Sequence, residues 1–111
     1  MQLDLDCNDE FEATHDSGVK FTLIPIDPRA YEKLQRQAGR GKNGEADPIT
    51  FAGLFAKQAI VRWEGVKQHC SDENKQRFGE RFAFNVMPWL VSQCMDVART
   101  IDAEVDAAKN G

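Results

Sequence analysis

The sequence predicts an α+β fold in which an N-terminal β-hairpin packs on a mainly α-helical body of about four helices. Three observations predict it. Apolar and polar residues alternate before residue 27, apolar residues recur at helical spacing after it, and the pair Asp-Pro stands twice where a helix would begin. A chain of 111 residues and 12.5 kDa holds material for one domain over 1–111, divided into a hairpin (1–27), a helical body (28–108) and a flexible loop (39–46). A hydrophobic fraction of 41% beside 29% charged residues excludes collagen-like, mucin-like and wholly disordered chains.

In the hairpin, Leu3 and Leu5 alternate with Asp4 and Asp6, and Phe21, Leu23 and Pro25 interleave with Thr22, Ile24 and Ile26. Both stretches read as strands. Asp16-Ser17-Gly18 supplies turn chemistry between them, and Pro25, which has no amide hydrogen to give a ladder, puts the end of the second strand at an edge. Asp27-Pro28 then starts a helix over about 28–38, because Asp satisfies free backbone amides and Pro at the first helical position loses no hydrogen bond. Gly39, Gly41 and Gly44 interrupt regular structure, and Asp47-Pro48 repeats the helix start. The segment that follows, from Ile49 to Trp63, is strongly apolar and is expected to be the core helix, with Gly65 ending it and Trp63 as an internal anchor. Ser71, backed by Asp72 and Glu73, begins a short third helix through about Phe82. A last helix begins near Pro88 and carries Leu90, Cys94, Val97, Ala98, Ile101, Val105 and Ala108 at helical spacing.

Charge is unevenly placed. Residues 1–27 carry seven acids and one lysine, whereas residues 28–45 carry five bases and two acids, within a chain of net charge −4. That balance disfavours a general binder of nucleic acid or anionic membrane, which needs clustered positive charge to release counterions. The local exception is Arg29, Lys33, Arg36 and Arg40, whose spacing of four, three and four puts them on one face of the first helix, a candidate electrostatic contact for phosphates or an acidic partner. Tyr31 is the one aromatic residue within that stripe, which weighs against stacking on bases. No apolar run approaches the roughly 18 residues of a membrane span, and the acidic start MQLDLDCNDE is unlike a secretory signal, so a cytoplasmic protein is expected.

Catalysis needs a base or nucleophile set against a partner, and the residues for it are scattered. Cys7, Cys70 and Cys94 form no CxxC pair and are expected as reduced thiols; His15 falls in the hairpin turn and His69 in an interhelical loop, adjacent to Cys70 without chelating spacing. The acids Asp4, Asp6, Asp9, Glu10, Glu12 and Asp16 lack the spacing of a calcium loop, and GRGKNG lacks the ending of a phosphate loop. No catalytic residue, metal or cofactor is assigned, and a non-enzyme is expected. The segment 82–91 is another matter, since it holds more apolar surface than one helix face buries. Phe84, Met87 and Trp89 within it are the expected anchors for a partner's apolar helix.

The succession of features from Phe21 onward resembles the small tail assembly chaperones of long-tailed bacteriophages and prophages. It is carried by FTLIPID with a helix directly after it, by an apolar helix ending in Val61-Arg62-Trp63-Glu64-Gly65-Val66, by the helix start Ser71-Asp72-Glu73-Asn74 and by Met87-Pro88 opening a C-terminal helix. In that family a strand leading through Pro into a helix, a W-x-G-V phrase, an S-x-E-N cap and a later Pro recur in this order. The likeness covers about residues 21–105; KQHC between Val66 and Ser71 is shorter than the family's usual connection and lacks its acidic, Gly-containing turn. The resemblance implies a non-enzymatic protein of the bacterial host cytoplasm that coats the long helical tape measure protein before the tail tube polymerises around it. In many such phages a longer frameshifted product also binds the tail tube protein. Whether copies of the chain form a homo-oligomer stays open. The competing expectation is a small nucleic-acid-binding regulator that uses the basic face of the first helix.

Overall fold

A computed structural model describes residues 10–39 and 47–110, with side chains as far as Arg99. Its first two strands, β1 (Phe11–Thr14) and β2 (Lys20–Leu23), pair antiparallel across the turn at Asp16-Ser17-Gly18. The His15 N–H donates to the Val19 carbonyl at 2.9 Å and the Gly18 N–H to the His15 carbonyl at 2.8 Å. Gly18 closes the turn at φ +94°, a conformation open to glycine without strain. The strand expected around Leu3 and Leu5 lies outside the described residues, as do residues 40–46 of the expected loop.

Both Asp-Pro pairs start helices as their chemistry predicts. Asp27 accepts from the Ala30 N–H at 2.8 Å and opens α1 (Pro28–Gln37); Asp47 accepts from the Thr50 N–H at 3.1 Å and opens α2 (Pro48–Ala59). The helices meet through aromatic edges, with Tyr31 5.1 Å from Phe51 and Phe51 5.8 Å from Phe55.

The expected core helix over 49–63 is corrected at its end. α2 stops at Ala59, and Ile60 turns to extended backbone (φ −84°, ψ 121°) and leads directly into β3 (Ile60–Glu64). This third strand pairs antiparallel with β2, giving the order β1-β2-β3. The cause is local and tertiary together: Ile60 and Val61 are β-branched and favour a pleated backbone, and β2 offers an apolar edge to cover. Trp63 therefore stands on a strand, where it is buried all the same at 9% exposure. Register explains how. Phe21 pairs with Trp63 and Leu23 with Ile60, so Val61 is an extra residue, a bulge that puts Ile60 and Trp63 on one face although they are three apart.

Ser71 caps α3 (Asp72–Arg81) by accepting from the Asn74 N–H at 3.2 Å. The last helix, α4 (Val86–Asn110), begins two residues before Pro88, where the Asn85 side-chain oxygen accepts from the Val86 N–H at 2.9 Å. The sheet's inner face lies against α3 and α4: the Phe21 ring is 5.6 Å from Phe78 and 6.0 Å from Trp89, and Trp63 is 5.3 Å from Phe78. Beneath them Leu23, Phe55, Ile60, Leu90 and Cys94 complete the core. Two main-chain bonds tie the segment after β2 to the helices, from the Ile24 N–H to the Ala59 carbonyl (2.9 Å) and from the Ile26 N–H to the Cys94 carbonyl (3.3 Å). The fold is α+β. Among the described residues no helix is long and apolar enough to cross a membrane.

Candidate protein-binding groove

The three expected anchors do not share a surface. Phe84, in the turn between α3 and α4, is 72% exposed; Met87 is 1% exposed and belongs to the core; Trp89 is half-buried, its ring edge-on to His15 at 5.0 Å and tilted against Phe21. The expectation for Met87 is corrected for a simple reason. Because α4 starts at Val86, Met87, Leu90, Cys94 and Ala98 fall at helical spacing on its inward face, and all four are buried. The helical body thus absorbs most of the apolar surplus of segment 82–91, leaving Phe84 outside.

A groove of about 640 Å³ opens next to that turn, between the connection 65–71 and α3. Its apolar walls are Trp63, Val66, Phe78 and Phe82, and Arg77, Glu80 and Arg81 stand at its rim. Two bonds hold the connection in place: the Trp63 indole N–H donates to the Gln68 carbonyl at 3.0 Å, and the Asn74 amide donates to the His69 carbonyl at 2.9 Å. The rim cations are held as well. Arg77 donates to the Asn74 side-chain oxygen at 3.1 Å, and the Arg81 guanidinium lies over the Phe82 ring, 5.4 Å from its centre. Among the described residues neither arginine has a carboxylate partner. Sequence inspection could not find this groove, because its wall at Trp63 reaches α3 only through the pairing of β3 with β2. The available signal was the β-branched pair Ile60-Val61, which marks the end of α2.

On α1, Arg29, Lys33 and Arg36 are exposed opposite the buried Leu34, and Arg40 lies outside the described residues. These three side chains form a solvated helix face. His15 Nδ1 accepts from the Ser17 N–H at 3.1 Å, whereas His69 is exposed in the 65–71 connection. Burial pushes the Cys94 thiol up to about 12 and raises that of half-buried Cys70, which opposes thiolate chemistry at either; Cys7 lies outside the described residues. Among the described residues no three His, Cys, Asp or Glu side chains gather where they could hold a metal ion.

No protein-family model, curated protein or solved structure matches the chain.

Proposed function

We propose that the protein is a non-enzymatic tail assembly chaperone of a long-tailed phage or prophage, which binds the tape measure protein in the host cytoplasm and keeps it soluble until the tail tube polymerises. The observation that carries this reading is the groove walled by Trp63, Val66, Phe78 and Phe82, with exposed Phe84 two residues beyond Phe82 in the same turn. An aromatic side chain left in water, in a turn whose Phe82 lines the groove, fits capture of a partner's apolar stripe, and net charge −4 keeps copies of such a protein apart while they work. The succession of motifs from FTLIPID to Met87-Pro88 supports the same reading. Nucleic-acid regulation has less behind it, because Tyr31, the one ring within the basic stripe, packs edge-on against Phe51 instead of standing free to stack.

The test is to find a long, helix-rich reading frame beside the gene and to co-express its product with this chain. The tape measure protein should move from the pellet to the soluble fraction when the two are made together, and an unchanged pellet overturns the reading. A salt titration separates the competing class, since phosphate binding weakens steeply with salt and apolar capture does not.

A further inference from the structure

We infer that the groove between the 65–71 connection and α3 docks an amphipathic helix that presents bulky apolar side chains flanked by carboxylates one helical turn apart. The walls define the apolar half of this chemistry. Trp63 and Phe78 are mostly buried and rigidly held, while Val66 and Phe82 are half-buried, so a side chain entering between them covers surface that the fold itself leaves open. A volume of about 640 Å³ suits a few side chains of a docked segment.

Charge defines the other half. Arg77 and Arg81 stand four residues apart on α3, hence one above the other at about 6 Å, and both are exposed at the rim. Each is oriented by a neutral neighbour, Arg77 by Asn74 and Arg81 by the Phe82 ring, and each guanidinium, with five N–H donors, retains donors for a carboxylate. Glu80 offsets one of the two, and its side chain accepts from Gln76 at 3.3 Å. The rim is therefore locally cationic on a chain of net charge −4. Glutamates one turn apart on a facing helix repeat the spacing of the two arginines.

The inference rests on the chaperone proposal only for the identity of the natural partner, so its test uses a synthetic probe. Two fluorescein-labelled amphipathic peptides share a leucine face; one flanks that face with glutamates four apart, the other with lysines at the same positions. By anisotropy, the intact protein should bind the glutamate peptide about tenfold more tightly than the lysine peptide, as expected when two exposed ion pairs turn from attraction to repulsion. Arg77→Glu with Arg81→Glu should invert that preference, and Arg77→Gln with Arg81→Gln, which keeps side-chain length without charge, should erase it should the reversed variant fold poorly. The glutamate peptide should also shift the Trp63 indole N–H resonance and leave that of Trp89 in place. Equal affinity for both peptides, a preference untouched by either double variant, a shift at Trp89 alone, or no binding of either peptide overturns the assignment. Failure of the chaperone reading appears elsewhere, as an insoluble tape measure protein beside the wild-type chain.

Discussion

The main-chain carbonyl of Ala52 occupies the space that a side chain on Gly79 would need. A carbon built there falls far inside contact distance of the Ala52 oxygen and 2.8 Å from the Ala56 side chain, so α2 and α3 cross at backbone contact. Gly79→Ala should force the helices apart and cost about 1 to 3 kcal/mol, read as a lower denaturation midpoint at unchanged slope. Gly53 is the control. A carbon built there falls 2.8 Å from Glu80 Cγ and 3.1 Å from the Gln76 carbonyl, a milder overlap mostly with side chain, so a Gly53→Ala variant should lose less.

Phe84 and Met87 should part company under substitution. Met87→Ala empties a core position and should cost about 2 to 5 kcal/mol. Phe84→Ser, at an exposed site, should leave stability within about 0.5 kcal/mol yet reduce the amount of tape measure protein recovered in solution. Thermal melts of each variant and the co-expression assay measure the two effects side by side.

Trp63 joins the sheet, α3 and the 65–71 connection. Trp63→Ala should cost about 3 to 5 kcal/mol. Trp63→Phe should keep most of the packing, lose about 0.5 to 1.5 kcal/mol with the bond to the Gln68 carbonyl, and speed amide hydrogen exchange within 65–71.

Stability should fall at both ends of the pH scale for identifiable reasons. Hydrogen bonds from the Thr50 hydroxyl and backbone hold the Asp47 carboxyl below its ordinary value of 3.8; the stabilisation is complete above that value and is lost as pH drops through the lowered one. Burial raises the Cys94 thiol from 9.0 to about 12, so its contribution is complete below pH 9.0 and is lost as pH rises toward about 12. Denaturant unfolding across pH should show a flatter acid limb in Asp47→Asn and a flatter alkaline limb in Cys94→Ala. Thiol labelling at pH 8 should leave Cys94 unmodified until the chain unfolds.

What the sequence makes legible is what neighbouring residues settle among themselves. Asp27-Pro28, Asp47-Pro48 and Ser71 satisfy amides within three residues, and all three start helices where expected. The turn at Asp16-Ser17-Gly18 is likewise local, with Gly18 at φ +94° and bonds confined to residues 15–19. β3 escaped because Ile60 and Trp63 continue the apolar pattern of α2 at helical spacing; only pairing with β2, distant in the chain, draws them into a strand. The same limit governs the site. Phe84 and Met87 are three residues apart and equally apolar, and which one meets water depends on where α4 starts and what it packs against. The groove's arginines carried no signal of their own, being ordinary charges on a polar helix until Trp63 and Val66 arrive beside them.

The unbroken passage from Ala59 to Ile60 sets an upper limit on the chain's length at that point. With no residue between helix and strand, the rotational phase of α2 dictates which way each β3 side chain points. One residue inserted there would turn the strand over, expelling Trp63 from the core and carrying Arg62 and Glu64 inward, whereas one removed is taken up where Val61 bulges and leaves Trp63 opposite Phe21. Natural variants of this protein should therefore differ in length within the 65–71 connection, where a turn absorbs the change, and gain no residue across the junction of Ala59 and Ile60.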